Sequence, residues 1–292
     1  MKRIIFPIFF LLINTASYSQ IDSSQTLKFK FLPAGLIFNP LYANNIEARM
    51  GILYYTATSN LKVDIGNNVD LFKFSWPDSK INLSLGIEFM AYAYSTSYAG
   101  YRLQIDALDG FFGGHLSFSK KFETNKLLAR FRIIHNSAHF VDGHYNTSTG
   151  MWLDGRGPIP YTEDFGELTV EHEIPEDNFL IQYYGGVSYS TLVRPLELKK
   201  YKTQLGAQIS VKDLLGKVFD HDENIFIAHH FLLSGNPVYE GSNQTVLGIK
   251  FGSWFEKGVV FYLSYYNGRD VFSSYYNMRV SWFGIGFNVD FF

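Results

Sequence analysis

A histidine, a serine and a second histidine occupy alternate positions of one stretch, as His135, Ser137 and His139. On an extended strand, alternate side chains point to the same face, and their Cα atoms lie about 6 to 7 Å apart. Imidazole and hydroxyl groups at this spacing can meet with suitable rotamers. A histidine base next to a serine hydroxyl activates that hydroxyl for nucleophilic attack. The spacing therefore predicts Ser137 as a nucleophile and His135 as its base.

A catalytic histidine also needs a third group that orients its ring. The next predicted strand, 163–174, offers Asp164 on the face that carries Leu168 and Val170. The opposite face of that strand carries Glu163, Glu167, Glu171 and Glu173. We therefore predict Asp164 as the orienting carboxylate. His139 and Asp142 remain alternative members of the site.

The strand that carries these residues, 126–142, separates by parity into a charged face and an apolar face. Arg130, Arg132 and Asn136 fall on the first, whereas Phe131 and Ile133 share the second with the candidate site. In a soluble protein the apolar face would be the core. In a membrane barrel the charged face lines the lumen and the apolar face contacts lipid. The chemistry predicted for this strand therefore depends on the fold.

The N-terminus predicts export. Two basic residues precede the apolar stretch 4–13, and Ser17-Tyr18-Ser19 forms a small-x-small cleavage site. About ten apolar residues are too few for a helix that spans a bilayer. We expect residues 1–19 to be a signal peptide and the mature chain to begin at Gln20.

The composition narrows the class further. The chain has no cysteine, so a disulfide scaffold is excluded, and aromatic residues are dense, with 28 Phe, 20 Tyr and 4 Trp. Without Lys2 and Arg3, the mature chain has 23 basic and 27 acidic residues, so its formal charge is −4 rather than −2. A chain with this charge has no basic surface of the kind that binds nucleic acid. No later window reaches the roughly 18 apolar residues of a transmembrane helix. An exported, aromatic-rich chain of alternating segments predicts an all-β transmembrane barrel in the outer membrane of a Gram-negative bacterium.

Alternation predicts about twelve antiparallel strands within a barrel domain of residues 46–292. The predicted strands are 46–58, 69–76, 80–95, 111–122, 126–142, 163–174, 179–191, 202–214, 225–234, 243–255, 258–267 and 283–291. The connections after even-numbered strands are short and the others are longer, which predicts periplasmic N and C termini. The lead-in, 20–45, contains Pro33 and Pro40, which argue against a barrel strand. It is expected to be a plug, a tether or a disordered segment.

The site residues support two resemblances. The pair His135-x-Ser137 on an outward strand resembles the His-x-Ser of outer-membrane phospholipase A and of lipid A deacylases. Those barrels cut acyl esters of lipids at their outer wall, so the resemblance implies the same activity. Ala138-His139 stands where the phospholipase pattern continues with Asn-Gly. The wider pattern, His135-x-Ser137-x-His139-x-x-Asp142 with Pro40-Leu-Tyr-Ala-Asn44, resembles a family of Gram-negative outer-membrane proteins without an assigned activity.

Three functional hypotheses follow from the sequence. The first is a lipid acyl-ester hydrolase that acts on outer-membrane lipids through His135 and Ser137. The second is a non-catalytic barrel with protein partners in the envelope, in which His135 and His139 belong to the aromatic interface girdle. The third is a narrow channel for small solutes. The turn with Asp220, Asp222, Glu223 and Asn224 leaves calcium open as a cofactor but lacks the pattern of a dedicated calcium loop.

Overall fold

A computed structural model describes residues 27–98, 102–139, 145–146, 149–152, 157–218, 220–235 and 237–291. The expected signal peptide, 1–19, lies outside these residues. The strands are β1 Lys28–Phe31, β2 Met50–Tyr55, β3 Asn60–Trp76, β4 Ile81–Tyr98, β5 Arg102–Lys121, β6 Lys126–His139, β7 Tyr145–Asn146, β8 Met151–Trp152, β9 Thr162–Pro175, β10 Phe179–Arg194, β11 Tyr201–Lys212, β12 Glu223–Gly235, β13 Tyr239–Phe251, β14 Gly258–Arg269 and β15 Arg279–Asp290.

Twelve of these strands close into one antiparallel barrel. Each strand from β2 to β15 pairs with its neighbour in the chain, except that β7 and β8 form a small hairpin of their own and β6 pairs directly with β9. The last strand returns to the first, because β15 pairs with β2 over Met50–Tyr55. β1 adds to the free lower part of β3, where Phe29 lies opposite Phe74. Along the residues that pair in these twelve strands, the sheet therefore has no free edge.

The barrel is apolar outside and polar inside, as the parity of the sequence predicted. On β6, Ile133 is 63% exposed, whereas its neighbour Ile134 is 3% exposed and faces the lumen. Arg130 and Arg132 are buried among the lumen residues, together with Glu163 and Glu167 from β9. The exposed large side chains on the strands are mostly Leu, Ile, Val, Phe and Tyr. This arrangement matches a wall that faces hydrocarbon.

Several predicted strand bounds were too narrow. The second barrel strand begins at Asn60 rather than at 69, and the fourth begins at Arg102 rather than at 111. The alternation extends further than predicted. On β3, Leu61, Val63 and Ile65 lie on the outward face, while Lys62 and Asp64 point into the lumen and are buried.

The longer strands also shorten most connections that were predicted to be long. The hairpin from β2 to β3 turns within 56–59, and β12 is separated from β13 by 236–238. The connection between β6 and β9, 140–161, is the longest, and the one between β14 and β15, 270–278, contains a 3₁₀ helix at Ser273–Tyr275. Both connections lie at the mouth opposite the first and last residues of the barrel, which is the extracellular mouth. The predicted contrast in connection lengths was therefore overstated. The even strand number places both ends at one mouth and the longest connections at the other, which is the arrangement of barrels with short periplasmic turns and longer extracellular loops.

Residues 33–49 run through the lumen, and we call them the lumen segment. The Ile37 amide donates to Asp70 on β3 at 2.9 Å, and the Tyr42 hydroxyl donates to Asp290 on β15 at 2.8 Å. Further up, the Asn44 amide group donates to Gln204 on β11 at 3.4 Å. Because these strands lie on different sides of the barrel, the lumen segment crosses its interior.

The first predicted strand, 46–58, therefore begins too early, since 46–49 belong to the lumen segment. The lead-in also contains a strand, β1, which ends before Pro33. The described part of the chain contains no helix of the length and apolarity needed to cross a membrane.

Candidate functional site

The candidate site lies on the lipid-facing side of β6 and β9, near the extracellular mouth. His135 on β6 lies directly opposite Asp164 on β9. The His135 Nδ1 and the Asp164 Oδ1 are 2.5 Å apart, and both side chains are partly exposed, at 34% and 44%. The ring of Phe112 packs beside the imidazole, with 4.9 Å between centroids. Cross-strand register therefore brings together the predicted base and the predicted orienting carboxylate.

Ser137 contacts the other histidine. Its Oγ lies 2.8 Å from the His139 Nε2, and His139 is exposed at the end of β6. The predicted contact between His135 and Ser137 is not formed in this structure. The reason is geometric, because Ser137 stands between two histidines at equal strand spacing and its hydroxyl has turned toward His139. The other alternative residue, Asp142, lies outside the described residues.

The surroundings of Ser137 leave its hydroxyl accessible. Gly110 on β5 lies opposite it, and even a Cβ added at Gly110 would remain 3.9 Å from the Ser137 Oγ. A glycine at this position leaves the outward side of the serine open. On the other side, Thr162 of β9 lies opposite Ser137, and its hydroxyl donates to the Asn136 carbonyl at 3.1 Å.

The carboxylate at Asp164 also defines which ring nitrogen of His135 is available. A carboxylate at Nδ1 favours the tautomer with a proton on that nitrogen, which leaves Nε2 as a proton acceptor. His135 can therefore serve as a base toward a hydroxyl on the same face. The Ser137 hydroxyl contacts His139 directly, and His135 lies two positions earlier on the same face.

A second cluster of charges lies inside the barrel at mid-height. Arg130 forms a two-pronged ion pair with Glu47 of the lumen segment, with N–O distances of 2.9 and 2.5 Å. Arg132 pairs with Glu167 at 2.8 Å and donates to the Ile46 carbonyl at 3.0 Å. Sequence reasoning predicted the arginines in the lumen but missed Glu47 as a partner, because residue 47 was assigned to a strand. The ion pairs fasten the lumen segment to the wall.

Above the lumen segment lies a cavity of about 120 Å³, which we call the upper chamber. Asn44, Asn45 and Ile46 form its floor, and Asp270, Val271, Ser273 and Tyr276 line it on the extracellular side. Its remaining lining comes from the upper parts of the strands. The sequence did not predict this cavity, because the residues that line it come from strands and loops that are far apart in the chain.

Asp270 is an acidic group of this chamber. One of its carboxylate oxygens, Oδ1, accepts the Phe272 amide at 3.0 Å. Burial raises the pKa of Asp270 to about 7, and the nearby carboxylate of Asp109 acts in the same direction, whereas the bond from Phe272 opposes them. Among the described residues, no cationic side chain pairs with Asp270.

The residues considered for calcium are engaged elsewhere. Asp222 pairs with Lys212 at 2.9 Å, Glu223 accepts the Leu215 amide at 2.5 Å, and Asn224 donates to the Gly252 carbonyl at 2.8 Å. Within the described ranges, no group of three or more His, Asp or Glu side chains could hold a metal ion.

The closed antiparallel barrel, its apolar exterior and its charged interior together define an integral β-barrel of the outer membrane. Neither a protein-family model nor a curated protein sequence matches the chain.

Among solved structures, the toluene transporter TodX of Pseudomonas putida matches with a TM-score of 0.41 and 11% identity, over 80% of this chain and 69% of that one. The β domain of the Bordetella autotransporter BrkA matches with a TM-score of 0.41 and 12% identity, over 82% and 96%. OmpT of Vibrio cholerae matches with a TM-score of 0.38 and 11% identity, over 91% and 98%. These similarities are distant and concern the fold alone.

Proposed function

We propose that this outer-membrane barrel hydrolyses acyl esters of lipids at the outer leaflet, with Ser137 as nucleophile. The observation that carries the proposal is the 2.5 Å contact between His135 Nδ1 and Asp164 Oδ1 on the lipid-facing wall. A carboxylate–imidazole pair beside a serine on the same face is the arrangement that nucleophilic catalysis requires. The resemblance of His135-x-Ser137 to the outer-membrane phospholipase and deacylase pattern agrees with this assignment.

The position of the pair selects the substrate class. The side chains of His135 and Ser137 point outward near the extracellular rim, where the ester groups of outer-leaflet lipids meet the polar headgroups. Phe112 beside His135 and Ile133 one step below belong to the same outward face, which would contact acyl chains. The substrate is therefore an acyl ester of a lipid that reaches the wall from within the membrane.

The reaction follows from these groups. The Ser137 Oγ attacks the ester carbonyl while His135 Nε2 accepts its proton, and Asp164 stabilises the imidazolium that forms. Collapse of the tetrahedral intermediate releases the lipid alcohol, which takes the proton from His135. Water then attacks the acyl-serine with His135 again as base, and the fatty acid leaves. We assign His139, whose Nε2 lies 2.8 Å from the Ser137 Oγ, as a hydrogen-bond donor to the developing oxyanion.

The channel hypothesis has less support. The lumen segment crosses the interior and is tied to the wall by buried ion pairs, so the described part of the barrel offers solutes no wide path. A non-catalytic barrel that binds envelope partners is the account that would replace the hydrolase if no activity were found.

The test uses the full-length mature barrel, refolded in detergent and supplied with phospholipid or lipid A, with and without calcium. We expect release of fatty acid, and Ser137→Ala or His135→Ala should each lower the rate by at least about 10³-fold. The double change should cost little more, because the groups act as a unit. Asp164→Asn should lose less, since Asp164 acts through the imidazole.

His172→Ala is the matched control, because His172 is a lipid-facing histidine on β9 that contacts Tyr183 at 2.7 Å, toward the periplasmic mouth. This variant should keep full activity. His139→Ala separates the two histidines: a loss as large as that of His135→Ala would make His139 the base. A folded wild-type barrel that releases no fatty acid from either lipid would refute the proposal.

A further inference from the structure

The upper chamber has a lining unlike that of a space filled only by water. Six aromatic rings border it, from four barrel strands or their extensions and from the extracellular loops: Tyr92, Phe111, Tyr161, Phe165, Tyr266 and Tyr276. All six residues are buried. An apolar cavity of about 150 Å³ is large enough to hold benzene. The chamber, at about 120 Å³, is of similar size and therefore suits a ligand with one ring.

Most charges at the chamber are already balanced. The pairs are Glu163 with Lys202 at 2.6 Å and Glu167 with Arg132 at 2.8 Å. Arg269 shares Glu240 with Arg279, at 2.8 and 2.9 Å, and its Nε has no hydrogen-bond partner. Asp270 differs, because none of the described cationic side chains forms an ion pair with it. Among the described residues that line the chamber, Asp270 is therefore the carboxylate without an ion-pair partner.

The uncharged polar groups point to a ligand that donates hydrogen bonds. The Asn136 side chain is 3% exposed, and its amide nitrogen donates to the Ser273 hydroxyl at 3.1 Å. Its Oδ1 has no hydrogen-bond partner although it is buried at the chamber wall. An acceptor left without a donor in a buried site is costly unless a bound group supplies the donor. Asp270 and Asn136 both line the chamber, so a donor group bound in it lies close to both side chains.

We propose that the upper chamber binds a small organic ammonium ion with one aromatic or similarly sized apolar group. The ammonium would donate to Asp270 and Asn136, while the aromatic walls would enclose the apolar part and attract the cation through their ring faces. This site is separate from the lipid-facing site, because Asn136 and His135 are neighbours on β6 that point to opposite sides of the wall.

A carboxylate ligand does not fit this chamber. It would place a second negative charge beside Asp270, and the two described cations that line the chamber are already in ion pairs, Lys202 with Glu163 and Arg269 with Glu240, which Arg279 shares. A neutral alcohol would fill the same space but would leave the carboxylate without a counterion. Charge, rather than size, is therefore the property that separates the proposed ligands from similar molecules.

In the experiment, benzylamine is titrated into the refolded mature barrel in detergent at pH 8, and isothermal titration calorimetry measures its binding. Benzyl alcohol and benzoate serve as neutral and anionic probes of the same size. We expect saturable binding of benzylamine at one site and at least about tenfold weaker binding of the other two, since removal of a buried charge partner is strongly unfavourable. Asp270→Asn should weaken benzylamine binding by at least about tenfold.

Asp222→Asn is the matched control, since this aspartate lies in a turn at the periplasmic mouth and should leave binding unchanged. Ser188→Phe, which fills the chamber from β10, should abolish binding and provides a second test if Asp270→Asn fails to fold. Retained heat-modifiable migration in gels verifies the folding of each variant. Equal binding of benzoate, unchanged affinity in a folded Asp270→Asn barrel, or no saturable binding at millimolar benzylamine would each overturn the proposal.

Discussion

Removal of Arg130 should loosen the lumen segment from the wall. The Arg130 and Glu47 side chains are 1% and 0% exposed, so Arg130→Met would leave a buried carboxylate without its two-pronged partner. Breaking one side of a buried ion pair costs about 3 to 5 kcal/mol. We expect the lower end of that range, because Arg132 holds the adjacent Ile46 carbonyl and remains nearby.

The double variant Arg130→Met with Glu47→Leu separates the pair from the simple loss of a side chain. Replacing both partners by apolar groups of similar volume is often neutral or stabilising, because no charge then remains buried. The double variant should therefore be more stable than Arg130→Met alone. Lys126→Met is the control: the Lys126 side chain is 30% exposed, and its partner Glu173, which is 6% exposed, keeps a hydrogen bond from Gln182 at 3.2 Å, so the loss should be smaller than that of Arg130→Met.

Urea unfolding of the barrel in lipid vesicles, followed by tryptophan fluorescence, measures these differences. Trp254 reports on the lumen segment directly, because its ring lies 5.0 Å from that of Tyr42. The reasoning is refuted if Arg130→Met costs no more than Lys126→Met. It is equally refuted if the double variant loses the sum of the two single losses.

Three further predictions test the wall, the orientation and the chamber. Ile133→Arg should destabilise the membrane-inserted barrel by roughly 2 to 4 kcal/mol at mid-bilayer and less toward the rim, whereas Ile134→Ala, at a position that faces the lumen, should leave insertion intact. Urea titration in vesicles compares the two variants. Normal insertion of Ile133→Arg would contradict the assignment of Ile133 to the outward face. A cysteine at Met151 should react with an impermeant thiol reagent on intact cells and one at Asn125 should not, and labelling at Asn125 alone would invert the barrel. Asp270→Asn should stabilise the ligand-free barrel at pH 8 but not at pH 4. Folding raises the pKa of Asp270 to about 7, so this carboxylate destabilises the fold as the pH rises from the pKa of the unfolded chain to 7. Equal effects at both pH values would argue against this shift.

The sequence predicted the wall of the barrel better than its contents. Strand parity on β6 placed Ile133 outside and Arg130 inside, because side-chain direction alternates along any strand and needs no tertiary information. Parity also placed Asp164 outward, and antiparallel register then set it opposite His135. What parity cannot supply is the choice of rotamer, which directed the Ser137 hydroxyl to His139.

The interior was predicted less well because its contacts join residues far apart in the chain. Glu47 meets Arg130 across 83 residues, and Tyr42 meets Asp290 across 248. No local pattern marks such pairs, and the polar residues of 46–49 alternate as a strand would. The upper chamber escaped notice for the same reason, since its aromatic lining comes from strands and loops that the sequence separates.

The path of the lumen segment restricts the order in which the barrel can assemble. The segment precedes β2, and β2 is the strand to which β15 must pair before the wall is complete. Once that seam has formed, residues 33–49 are enclosed by a continuous hydrogen-bonded ring and are tethered at both ends, by β1 before the segment and by β2 after it. The segment must therefore already be folded inward when the last strand arrives, so closure of the seam also seals the interior.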